Sequence, residues 1–296
     1  MKWCLGVAAL ALGVGALWAP GMVVGYPQSH PAPAVGHTLP PAELGEMVKL
    51  GRELVEQTNV HPLTKPYVGN DLRCSSCHLH AGTDPKVATF IGVASAYPLY
   101  STRHKAVITL EERVGDCFMR SLNGIRPPLG SKPSVAISTY ITWLSTGLAG
   151  QMNPKGGEGL YAFPVLAVDP AKANVARGEK LYREKCSMCH NFDGQGVPGN
   201  IPPVWGPRSY NAGAGLAETP KLAGWLKVAM PLGNAGLTND EALDVAAYVN
   251  SQPRPRFVLK DHLPTAERMG VYNSNVLDEV KEVRPPTRPE EGSRSQ

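Results

Sequence analysis

Stripes of lysine and arginine interleaved with aromatic residues are missing from this 296-residue chain, although its formal charge is +4 and its pI about 8.7. Their absence removes the electrostatic footprint of a nucleic-acid binder. The mild basicity is left for an anionic substrate or an acidic redox partner. Charge is sparse as well: 18% of residues are charged and 43% are apolar, which excludes a disordered chain and describes a folded, soluble one. The length allows about two domains. Cysteine is scarce, with six residues: Cys4, Cys74, Cys77, Cys117, Cys186 and Cys189. Their spacing is more informative than their number.

Cys74-Ser75-Ser76-Cys77-His78 sets two thiols two residues apart with a histidine directly after. This is the spacing of a c-type haem attachment site. On a helical turn, positions i, i+3 and i+4 share a face. Cys74 and Cys77 can then form thioethers to two vinyl groups on one haem edge while His78 reaches the iron. The pattern returns at Cys186-Ser187-Met188-Cys189-His190. A single copy could be half a zinc site; two copies in the same helical surroundings point to two covalently attached haem c groups. Cys4 lies in a targeting segment, so Cys117 is the cysteine without an assignment.

Residues 1–25 have a charged start and an apolar run from Leu5 to about Ala19, the form of a secretory signal, with cleavage expected after Gly25. An uncleaved membrane anchor is the alternative. Either way the bulk of the chain is expected outside the cytoplasm, in the periplasm, with no stable membrane insertion if the signal is removed. Residues 26–41, rich in Pro, His and Gly, read as a linker. Apolar positions at helical spacing predict a helix over Ala42–Gln57, and Thr109-Leu110-Glu111-Glu112 is a capping box opening a helix to about Leu122. Ser131–Leu148 is a further expected helix. Residues 151–170 read as the interdomain linker. Helices are then expected over Ala171–Lys185, from Thr219-Pro220 to the proline after Met230, and from a second capping box at Thr238-Asn239-Asp240-Glu241 to about Gln252. The tail, 254–296, is rich in Pro, Arg and Glu and is expected to be flexible and largely unpacked.

The two halves repeat one plan of helix, CxxCH, long loop region and closing helix. Gly51-Arg52-Glu53-Leu54 echoes Gly178-Glu179-Lys180-Leu181, and Tyr140 echoes Tyr248. Close helix–helix approach would explain a glycine at both positions. The expected fold is all-α: two tandem class I cytochrome c-like domains, 42–150 and 171–253, each with one covalently bound haem.

The residue across each iron tunes its chemistry. For the second haem, Met230 is the candidate: it precedes Pro231 and lies just before the closing helix. The first half has no Met-Pro in the equivalent place. Met119, His104 and Cys117 are the nearby options. On a helix, Arg113, Cys117 and Arg120 form one stripe, and neighbouring cations favour the thiolate form of a cysteine. A thiolate binds iron and lowers its potential, and it is a nucleophile when it lets go. A buried, inert cysteine is the plainer reading. Arg103, Arg113 and Arg120 could hold a sulfur oxyanion or pair with haem propionates.

The segments Gly69–Leu79, Tyr97–Tyr100, Leu110–Arg113, Cys117–Gly124 and Tyr140–Ser145, followed by Trp205-Gly206, Ser209–Asn211, Gly213–Gly215 and Asp244–Val249, resemble in order the dihaem thiosulfate dehydrogenases that form tetrathionate. The match covers roughly residues 42–258. The resemblance implies a catalytic haem ligated by His78 and Cys117, with Arg103 and Arg113 holding substrate beside the thiolate. It implies that Cys117 leaves the iron and forms a covalent adduct with one thiosulfate, and that a second thiosulfate releases tetrathionate. The two electrons would pass by way of both haems to an acceptor, a small cytochrome c. One departure is visible: some relatives carry a lysine beside the second-haem methionine, where this chain has Ala229. Two rival readings are a dihaem electron-transfer cytochrome c without substrate chemistry and a Sox-type sulfur-carrier subunit.

Overall fold

Hydrophobic residues at helical spacing build the same two-helix crossing twice. The computed structural model describes residues 38–148, 165–265 and 272–283. The expected signal over 1–25 and most of both linkers therefore lie outside the described residues. Among those described, no helix is long and apolar enough to cross a membrane.

The first half begins with α1 (Ala42–Glu56), which buries Val48, Leu54 and Val55. A short turn carries the first CxxCH and leads into the distorted single turn α2 (Leu79–Gly82). A small antiparallel hairpin follows, β1 (Leu99–Ser101) with β2 (Ala106–Ile108). Its three-residue strands are too short to show alternation, so this stretch reads as aperiodic in sequence. Helix α3 (Leu110–Met119) opens at the expected capping box: Thr109 Oγ1 accepts from the Glu112 N–H and Glu112 Oε2 accepts from the Thr109 N–H. It ends three residues before the expected Leu122, and α4 (Lys132–Trp143) stops short of Leu148.

The second half has α5 (Val175–Lys185), opened by Asn174 rather than at Ala171. It continues with the single turn α6 (Ser187–His190), α7 (Thr219–Ala229) and α8 (Asn239–Ser251), the last opened by the Thr238/Glu241 capping box. Short elements α9 (Leu259–His262), β3 (Phe257–Val258) and β4 (Val280–Lys281) lie in the tail, β3 and β4 pairing antiparallel.

Helix α1 crosses α4 at Gly51, where a Cβ would lie 2.1 Å from the Ala136 carbonyl oxygen. Helix α5 crosses α8 at Gly178, where a Cβ would lie 2.1 Å from the Asp244 carbonyl oxygen. The close approach expected from the echoed glycines is present in both halves. Each crossing sits on its own core: Phe118, Ile137 and Tyr140 in the first, Tyr182, Val245 and Val249 in the second. The two cores exchange residues. Tyr210 and Ala214 pack into the first, and Val87 and Ala88 into the second.

Two expectations are corrected. Leu166, placed in the 151–170 linker by composition, is 2% exposed and belongs to the second core. The tail expected as flexible over 254–296 is packed through its described residues: Phe257, Leu259, Leu263 and Tyr272 form a cluster with Met119. Arg120 pairs with Glu279 through both carboxylate oxygens, at 2.7 and 3.2 Å. A few well-spaced large apolar residues and a buried ion pair anchor this segment although its overall composition is polar.

Candidate active site

Local bonds set the first CxxCH before any cofactor is considered. The Cys74 N–H donates to Thr58 Oγ1 at 3.0 Å, and the His78 N–H donates to the Cys74 carbonyl at 3.0 Å. The His78 ring stacks on Phe90 with centroids 4.2 Å apart, and its Nδ1 is bonded to the Ala88 carbonyl. A metal-ligating histidine is ordinarily oriented by such a bond, which makes Nε2 the nitrogen that could reach iron.

Cys74, Cys77, His78 and Cys117 line one cavity with about 950 Å³ of empty space including its mouth. Its other walls are mostly apolar, among them Leu72, Val93, Phe118, Leu122, Ile137 and Ile141. Burial pushes both the Cys74 and Cys77 thiols up to about 12, with Cys117 nearby adding to the rise. A pair of neutral sulfurs, an oriented histidine and an apolar cradle fit a covalently bound haem. Cys117 is the further sulfur on the same cavity.

Arg113, one turn before Cys117 on α3, donates from Nη1 to Cys117 Sγ at 3.1 Å. Arg103 comes from the turn between β1 and β2 and lies 3.7 Å from Glu218 Oε1 of the second half. Burial lowers the Arg103 guanidinium below its ordinary value, and repulsion from Arg120 and Arg113 adds to this. The three arginines therefore share one electrostatic neighbourhood, suited to an anion. Arg120 is otherwise engaged: it pairs with Glu279 and lies over the Phe257 ring at 4.4 Å.

The other options for the first iron are placed elsewhere. Met119 is fully buried in the tail cluster. His104 is 1% exposed, with Nε2 2.6 Å from Asp116 Oδ2 and Nδ1 3.1 Å from the Asn273 carbonyl. Burial pushes the Asp116 carboxyl up, but His104, Arg120 and Arg113 outweigh it and hold it below the usual carboxylate range.

The second motif is built alike. His190 Nδ1 lies 2.9 Å from the Pro202 carbonyl, and burial pushes the imidazole below its ordinary value. That favours the neutral form that binds metal. Met230 is the C-cap of α7 and packs, with Cys186, against the second core. Lys227 donates from Nζ to the Leu237 carbonyl at 3.3 Å, and Ala229 is buried.

Several contributors were not visible in sequence. Phe90 and the Ala88 carbonyl orient His78 from across an aperiodic loop. Trp225 of α7 donates from Nε1 to the Cys77 carbonyl at 3.0 Å, across 148 residues. Asp116 alone carried a local signal, its place directly before Cys117.

Comparison with known proteins accords with this geometry. Residues 65–149 match the family model "SoxA/TsdA, cytochrome c domain" and residues 175–253 match "Cytochrome c". The chain is 40% identical over 230 residues to the thiosulfate dehydrogenase of Allochromatium vinosum, covering 74% of this chain and 82% of that protein. It is 40% identical over 223 residues to that of Thiomonas intermedia, covering 74% and 69% respectively. A solved structure of the thiosulfate dehydrogenase TsdBA from Marichromatium purpuratum superposes with a TM-score of 0.67 at 38% identity, covering 74% of this chain. The chain spans 48% of that solved chain.

Proposed function

Because the chain belongs to the thiosulfate dehydrogenase family and carries two covalently attached haem c groups, we propose that it joins two thiosulfates into tetrathionate in the periplasm. In this reading the domains are 42–150 and 171–253, tandem class I cytochrome c units with one haem each, and the same steps run backwards would reduce tetrathionate. The observation that carries it is Cys117, on the same cavity as His78 and 3.1 Å from Arg113.

His78 and Cys117 are the residues that would hold the first iron, and His190 and Met230 those that would hold the second. Arg103 and Arg113 bind the thiosulfate dianion beside the sulfur by charge-assisted hydrogen bonds. Cys117, as a thiolate, bonds to the outer sulfur of thiosulfate. That S–S bond forms with loss of two electrons and leaves a cysteine S-thiosulfonate with one negative charge. When bound, the haem groups would supply the two-electron oxidant for this bond and the route to an acceptor, a small cytochrome c. A second thiosulfate then attacks the sulfur next to the sulfonate, as in thiol–disulfide exchange. Tetrathionate departs and Cys117 is regenerated as thiolate. The signal expected over residues 1–25 supports the periplasmic location.

The test is thiosulfate-dependent dye reduction by purified holoprotein beside Cys117→Ala. The expected loss is at least about a thousandfold, as for removal of a nucleophile, with disappearance of the thiolate-ligated low-spin signal from the EPR spectrum. Equal turnover in both proteins would exclude the thiolate route. No turnover of thiosulfate or tetrathionate by the wild type would make the chain an electron carrier.

A further inference from the structure

The segment after residue 253 lies beyond both family-model matches and beyond the helices of both halves. Its residues 272–275 fasten onto the hairpin turn that carries Arg103. The Asn275 N–H donates to the His104 carbonyl at 2.8 Å, and Asn275 Nδ2 donates to the Lys105 carbonyl at 2.7 Å. Asn273 Nδ2 donates to the Val107 carbonyl, and the Asn273 carbonyl faces His104 Nδ1. Tyr272 closes the other side, its hydroxyl 3.4 Å from Asp116 Oδ1 and its ring 5.3 Å from the His104 ring. Further on, Glu279 holds Arg120 of the turn after α3.

His104 follows Arg103 directly, and Asp116 directly precedes Cys117. The 2.6 Å contact between His104 and Asp116 is therefore a rigid tie between the residue that would bind the anion and the residue that would attack it. Both partners are buried, at 1% and 2% exposure, so neither can swing into solvent to relax. A buried pair of this kind specifies one geometry, and losing either member leaves an uncompensated polar group.

We propose that the C-terminal segment is part of the substrate site: Tyr272 and Asn273 lock a buried His104–Asp116 pair that positions Arg103 against Cys117. His104, Asp116 and Tyr272 are positioning residues; none of them is required to touch substrate. The inference rests on the assignment of Cys117 and Arg103 made above. Misplacement of a binding group by about 1 Å can cost up to about a hundredfold in rate, so the tie acts on efficiency without entering the chemistry.

The test uses full-length holoprotein carrying His104→Asn, and separately Tyr272→Phe, a milder change should the first fail to accumulate. Asp244→Asn is the control: that carboxylate is 1% exposed in the second half and bonds to the Asn174 N–H and Arg177. It should lower the melting temperature and leave KM unchanged. In the His104 and Tyr272 variants the expected result is a KM for thiosulfate about tenfold higher with shifted EPR g-values of the thiolate-ligated iron and full haem content. Wild-type KM and wild-type g-values in these variants, with a fall only in melting temperature, would overturn the proposal. Should wild-type protein fail to turn over thiosulfate, the proposed function falls, and the g-values alone decide the positioning role. A shift in His104→Asn or Tyr272→Phe but not in Asp244→Asn supports it; no shift overturns it.

Discussion

The sulfur of Cys117 meets a guanidinium rather than an ammonium. Arg113 reaches it with one nitrogen at 3.1 Å. A guanidinium presents five donors in a planar fork, where lysine would offer one compact charge. Met230 stands in contrast at the other site. It sits at the end of a helix against apolar neighbours, the surroundings of a thioether rather than of a nucleophile. A methionine ligand raises the potential of a histidine-ligated haem. Met230→Ala is accordingly expected to lower the second-haem potential in a spectroelectrochemical titration and to leave the first-haem EPR signal in place. An unchanged potential would remove Met230 from the ligand set.

Among the elements, the paired crossings α1/α4 and α5/α8 are the part of the fold most fully written in local sequence. The capping boxes at Thr109 and Thr238 act over three residues, so spacing exposes them, and the glycine and tyrosine at each contact, though far apart in sequence, show as an echo between the halves. Gly51→Ala would drive a Cβ to 2.1 Å from the Ala136 carbonyl and 2.7 Å from Tyr140 Cβ. Backbone cannot yield as a flexible side chain would, and the expected loss is about 1–3 kcal/mol, read from chemical denaturation of the holoprotein. The hairpin at 99–108 and the C-terminal segment were illegible for the opposite reason. Their stability comes from distant partners: Glu279 and Arg120 are 159 residues apart, and Asn273 and His104 are 169 apart. Phe257, Leu259, Leu263 and Tyr272 follow no period, so composition alone suggested an unpacked tail. At the site, CxxCH and the isolated Cys117 could be read directly, whereas the acceptors that orient His78 and the tie behind Cys117 could not.

On the scale of the whole molecule, the two halves are joined by bonds that neither could satisfy alone. Asn211, fully buried, donates from Nδ2 to the Met119 carbonyl and to Asn123 Oδ1, both at 2.9 Å. Asn70 Nδ2 donates to the Ser209 carbonyl at 3.0 Å, and Arg208 pairs with Asp71 at 3.0 Å. Asn211→Ala would strand buried acceptors at a cost of about 1–3 kcal/mol. Calorimetry is expected to show one thermal transition for the wild type and two for this variant; a single, merely lowered transition would mean that the halves are coupled elsewhere. The bond from Trp225 to the Cys77 carbonyl has a consequence for electron flow. Trp225 and Met230 are five residues apart on or beside α7, about 7.5 Å along a helix axis. One end of that rod is pinned to the first CxxCH and the other carries Met230, the proposed ligand of the second iron. With the ligand set proposed above, the helix would act as a gauge for the gap an electron must tunnel.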